Sequence, residues 1–281
     1  MEQQSLEDFL QNTSLSAQSG TPHGQYYLGW LYRTGRGVQK SNAEAIKWWK
    51  LAAENGSVDA QYALGSIYRR GDGLLKSGAE AVKWWKLAAE SGSVDAQYAL
   101  GWIYRNGDGV HKNNAEAVKW WKLAAENGET RAQGNLGGMY LYGKGTRKNL
   151  AEALRLLRTA ASSGDANAQY TIGFSRERAI PLDERMEWLH KAADNGHFMA
   201  QRFLAVLYAS GSVVERRDLV TALKLIIQAN RTKNSIPSRA IYFAIRLFMN
   251  KEQVAEANRL AKDAPSAAAQ DNPTEPPAPR D

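Results

Sequence analysis

The chain contains no cysteine among its 281 residues. Disulfides, cysteine nucleophiles and thiolate metal sites are therefore excluded. Histidine is scarce: His23, His111, His190 and His197 are the full complement. None forms an H-x-x-x-H pair, and none stands with Asp and Ser in a triad-like order, so neither a metal site nor an enzyme is expected and no cofactor is implied. Long apolar runs are also missing. No stretch approaches the roughly 18 residues that a membrane span requires. The N-terminal MEQQSLEDFLQNTS has neither the basic segment nor the apolar core of a secretory signal. The expectation is a cytoplasmic protein with no membrane association. Blocks of one charge are absent too. The 36 Lys and Arg are scattered among 29 Asp and Glu, for a net charge of +7. Nucleic-acid binding needs a basic stripe on one face, so this scatter reads as a solvated surface.

What the chain has is repetition. AQYALGSIYRRGDGLLKSGAEAVKWWKLAAESGSVD starts at Ala60, and a segment starting at Ala96 agrees with it at 26 of 36 positions. Further copies start at Gly24 and Ala132, and weaker ones at Ala168 and Ala200. A fixed period of this size marks one supersecondary unit that buries its apolar face only by stacking on its neighbours.

Each unit reads as two helices. In the second unit, helix A covers about Ser57 to Arg70 and helix B about Gly78 to Ser91. Ser57, Ser93, Asp165 and Thr21 stand where a side-chain cap would open helix A, with Pro22 in the first turn. Ser41 with Glu44, and Ser77 with Glu80, read as capping boxes for helix B; Asn113 with Glu116 and Asn149 with Glu152 are weaker versions. Gly56, Gly92, Gly128, Gly164 and Gly196 punctuate the end of each helix B. The recurring G-x-G, as in Gly71 and Gly73, is read as the turn between helices; it has no preceding strand and no Walker spacing. At least one Trp of each pair at 48/49, 84/85 and 120/121 is expected in the core.

This pattern, carried by Ala96, Leu100, Gly101, Tyr104, Gly107, Gly109, Val110, Ala117, Trp120, Ala124, Ala125 and Gly128, resembles the Sel-one-like repeat (SLR) family, relatives of the tetratricopeptide repeat. The resemblance implies an all-α, right-handed α/α superhelical solenoid of about six two-helix repeats with N- and C-terminal capping helices. The organisation expected is an N-terminal capping helix (1–23), four regular repeats (24–167), two degenerate repeats (168–237), C-terminal capping helices (238–264) and a disordered proline-rich tail (265–281). The fifth unit departs from the pattern. Its loop is four residues shorter and lacks G-x-G, Arg176 replaces the tyrosine, and Pro181 replaces the helix B cap.

Family members are mostly adaptors and scaffolds, and bacterial ones serve in signalling, host interaction or toxin neutralisation. The resemblance thus implies a protein-interaction adaptor, with a toxin-neutralising immunity protein as one version. If the family register transfers, positions 62, 66, 69 and 70 and their equivalents line the concave helix-A surface. This places Tyr26, Tyr62 and Tyr98 in one row, Trp30 and Trp102 in a second, and Arg33, Arg69 and Arg105 in a third. Tyr170 and Phe174 continue the aromatic rows. Aromatic rows beside arginines suit a peptide carrying acidic residues. The alternative reading is nucleic-acid or carbohydrate binding by the same rows, or sugar binding by exposed Trp pairs.

Overall fold

The computed structural model describes residues 2–73, 75–211, 217–232 and 236–262. The tail expected to be disordered lies outside them. Every regular element among the described residues is an α-helix. In chain order these are α1 (Glu2–Gln18), α2 (Pro22–Thr34), α3 (Asn42–Glu54), α4 (Val58–Arg70), α5 (Gly78–Glu90), α6 (Val94–Asn106), α7 (Asn114–Glu126), α8 (Thr130–Tyr142), α9 (Leu150–Ser162), α10 (Ala166–Gly173), α11 (Leu182–Asp194), α12 (Phe198–Ser210), α13 (Leu219–Thr232), α14 (Ile236–Arg246) and α15 (Lys251–Lys262). None is long and apolar enough to cross a membrane. The chain packs as two units. One runs to Ala132 and includes Lys144–Thr146; the other holds Gln133–Gly143 and the described chain from Arg147.

In the first unit, each helix from α1 to α7 packs on the next. The caps explain the boundaries. Thr21, Ser57 and Ser93 each accept a backbone N–H three residues on, opening α2, α4 and α6. These helices end on Gly35, Gly71 and Gly107, all at left-handed φ, where a residue with a Cβ would be strained. Helix B ends in a Schellman motif: at α3, Ser57 N–H reaches the Ala52 carbonyl at 2.8 Å and Gly56 N–H the Ala53 carbonyl at 3.1 Å.

The helix B caps differ from the capping boxes expected. Ser41, Ser77 and Asn113 do accept from Glu44, Glu80 and Glu116 N–H. The reciprocal half is taken by the last turn of helix A. The N–H groups of Ser41, Ser77 and Asn113 donate to the carbonyls of Tyr32, Tyr68 and Tyr104 at 2.8–2.9 Å. Glu44 and Glu80 lie instead beside Lys47 and Lys83, one turn along the same helix.

Each of the first three repeats buries a Trp at the same position of helix B. Trp49, Trp85 and Trp121 are buried, and each indole N–H donates to the backbone carbonyl of Tyr26, Tyr62 or Tyr98 on its own helix A. Gly29, Gly65 and Gly101 make room: a Cβ on any of them would run into that indole ring. A second ladder joins consecutive helices. Gln61 and Gln97 donate to the carbonyls of Ala53 and Ala89 at the end of the preceding helix B.

In the second unit, α9 to α13 pack in sequence, and α13 also meets α14 and α15. Gln169 and Gln201 continue the glutamine ladder, onto Ala161 and Ala193. The fifth repeat is shortened. α10 has eight residues where the regular helix A has thirteen, and Pro181 opens α11 with no side-chain cap.

Candidate partner-binding surface

The tyrosine row is not a surface. Tyr26, Tyr62 and Tyr98 are 1%, 4% and 6% exposed. Tyr26 and Tyr62 pack their rings on Trp49 and Trp85, with centroids 6.2 and 6.4 Å apart. Burial pushes the Tyr62 hydroxyl up to about 12 and raises that of Tyr26 as well. The physical reason is that α4 is enclosed on all sides: every residue from Ala60 to Ile67 is buried, Ser66 included. A helix held between two neighbours has no solvent stripe. The three tyrosines are therefore withdrawn from the exposed rows in which the register placed them.

Two of the three arginines are used within the fold. Arg33 donates to Asp72 Oδ2 at 2.8 Å and to Asn42 Oδ1 at 3.1 Å. Arg69, 6% exposed, lies 3.9 Å from Asp108, which also accepts from Lys76 at 2.8 Å. Burial lowers the Arg69 pKa, against the opposing pull of Asp108. Asp72 and Asp108 are the middle residues of the G-x-G turns, each meeting the arginine of the preceding repeat. The next residue in this register is Lys144. The half-buried Arg105 consequently has no carboxylate partner among the described residues.

Trp30 and Trp102 are half-buried, and each lies beneath a guanidinium. Arg36 stands 4.9 Å from the Trp30 ring and Arg69 4.6 Å from that of Trp102. The rows thus contract to Trp30, Trp102 and Arg105 as residues with solvent access and no full engagement in the core. The Trp pairs do not form double platforms either. The second member of each is inside the repeat, and the first lies near the lysine that precedes it, Lys47, Lys83 or Lys119.

In the second unit, Tyr170 stacks on Phe174 at 5.3 Å and on His197 at 4.4 Å, and Phe174 meets Phe203 edge-on at 5.1 Å. Phe174 stays 40% exposed. His197 caps α12: its Nδ1 accepts from Ala200 N–H at 3.2 Å, and burial holds its pKa down at about 4. His190 bonds to the Tyr208 hydroxyl at 2.8 Å and to the Met186 carbonyl at 2.7 Å. Among the described residues, no three metal-ligating side chains converge.

Sequence reasoning missed the arginine–aspartate ladder. Its signal was present: Arg33 to Asp72 and Arg69 to Asp108 are both separated by 39 residues.

Stacked two-helix units, closed by a close-approach glycine against a buried Trp in the first three and a buried Leu in the next two, define an all-α repeat solenoid. The chain belongs to the Sel1 repeat family, whose model matches residues 22–57, 58–93, 94–129, 130–165, 186–197 and 198–231. It is similar to the crystal structure of a protective antigen of uropathogenic Escherichia coli with an SLR fold. That likeness has a TM-score of 0.73 and 29% identity, over 90% of this chain and 56% of the other. The chain thus spans little more than half of that relative. It is also similar to a Sel1 repeat protein from Oxalobacter formigenes, with a TM-score of 0.67 and 33% identity, over 75% of this chain and 85% of the other. No curated protein matches. Sel1 repeat proteins generally mediate protein–protein interaction.

Proposed function

We propose that this chain is a non-catalytic adaptor or scaffold that binds an acidic segment of a protein partner on the helix-A surface of its first unit, through Arg105 beside Trp102. The observation that carries this is the interrupted ladder. Arg33 and Arg69 are each met by an aspartate of the following repeat, and at Arg105 the corresponding residue is Lys144. A partner carboxylate would supply what Asp72 and Asp108 supply elsewhere, in a site where Lys144 adds a second positive charge. A cysteine-free chain suits the cytoplasm. A toxin-neutralising protein is the special case in which the partner is a toxin.

The test is a random peptide library displayed on phage and panned against the whole chain. Recovered peptides are expected to be rich in Asp and Glu. Arg105→Ala should weaken them about tenfold or more, the worth of one charge-assisted hydrogen bond. Arg33→Ala should lower stability and leave their affinity unchanged. Peptides without acidic residues, or indifferent to Arg105→Ala, count against the proposal.

A further inference from the structure

The fifth repeat holds a niche where a regular repeat holds helix. α10 ends on Gly173, which stands at the register of Gly65, whereas α4 runs on from Gly65 to Arg70. Gly173 keeps the close approach, since a Cβ there would reach Leu189 Cγ and, at 2.8 Å, the Arg185 carbonyl. Beyond it the chain turns directly toward α11. The space the missing turns would fill is a cavity of about 340 Å³, lined by Phe174, Met186, Leu189, Phe203 and Leu207 with Arg176 and Arg185. That volume lies at the lower end of those that hold ligands.

The lining is apolar, and its charged groups are all cationic. Arg185 donates from Nη1 to the Ser175 carbonyl at 2.8 Å, while its Nε is buried with no hydrogen-bond partner. Arg176 is exposed and makes no ion pair among the described residues. Two of the nearby carboxylates are already engaged: Glu177 with Lys148 at 2.7 Å and Glu184 with Arg158 at 3.0 Å. The apolar surface also continues past the niche. Phe174 and Leu182 are 40% and 57% exposed, and Met199, Phe203 and Val206 follow one another along a single face of α12. A compact molecule would fill the niche and leave that strip bare; a chain can follow both.

We infer that this niche is a docking site for a peptide segment of a protein partner. It takes a large apolar side chain against Phe174, Met186 and Phe203 and an adjacent carboxylate at Arg176 and Arg185. The inference rests on the reading of the chain as a protein-binding module, but on none of the residues around Arg105.

The same phage library, panned against the whole chain, tests it. Expected are peptides that pair a large apolar residue with Asp or Glu. Their affinity should fall about tenfold in Leu182→Glu and in Arg176→Glu, both exposed positions at which melting followed by circular dichroism should be unchanged. Binding should shift the methyl signal of Met186, and Arg105→Ala should have no effect. Peptides sensitive to Arg105→Ala alone overturn this inference and leave the proposed function standing. Peptides sensitive only to Leu182→Glu and Arg176→Glu do the reverse. Apolar peptides without an acidic residue, or a Met186 methyl that does not move, overturn it outright.

Discussion

A single side chain explains why the Gln61 rung of the glutamine ladder is incomplete. Gln25, Gln97 and Gln169 each accept from an asparagine at the end of their own repeat's helix B: Asn55 at 3.0 Å, Asn127 at 3.1 Å and Asn195 at 2.9 Å. The second repeat has Ser91 at that position, and Gln61 Oε1 is left buried without a partner. Serine is too short to span the gap. Ser91→Asn should therefore stabilise the chain by about 1 kcal/mol, the usual net worth of a hydrogen bond. A rise in the urea midpoint at constant slope would show it; no rise would mean that Gln61 finds water. The ladder itself was legible in the recurring A-Q, but not its partners, because the residue after helix B alternates between Asn and Ser. The burial of Tyr26, Tyr62 and Tyr98 was not legible either. The register of a related repeat places them on a surface, and that register does not count the neighbours on both sides of helix A.

Helix boundaries were the most readable feature, since glycine and short polar caps recur at fixed spacing and each has a local physical cause. The exceptions lie where the repeat breaks. The sequence shows a shorter fifth loop, yet not that the shortening would take five residues from helix A itself. His197 is another such case: a cap built from an imidazole was not anticipated, and it works only while Nδ1 is neutral. Burial lowers the folded-state pKa to about 4, whereas an unfolded histidine titrates near 6.5. The unfolded chain therefore binds the proton first as pH falls. The stabilisation is complete above about pH 6.5 and is lost as pH drops toward 4, amounting to about 3 kcal/mol at most. His197→Asn keeps a capping oxygen without the titration. Thermal melts between pH 7 and 4 should fall more steeply for wild type than for this variant; parallel curves would show that His197 does not carry the dependence.

On the scale of the molecule, the fold class followed from the period alone, because a repeat fixes one unit and stacking fixes the rest. The family match lapses over 166–185, the stretch that holds α10 and six of the ten residues lining the niche. Candidate binding sites were less legible than architecture for the same reason: residues that recur from unit to unit serve the stack, and both proposed sites sit where recurrence fails, beside the Lys144 substitution and after Gly173.

The arginine–aspartate ladder also gives the array a direction of growth. The second repeat reaches forward with Arg69 and meets Arg33 behind it with Asp72, so a second copy of residues 58–93 spliced in after Ser93 would find both neighbours waiting. Such an insertion should fold cooperatively with the rest, with a urea slope raised in proportion to the added buried surface; an unchanged slope would mean that the copy hangs unfolded. Gene duplication can lengthen a chain of this kind without stranding a charge in its interior. Where copying stopped keeping register the ladder ends, with Lys144 in the place of an aspartate.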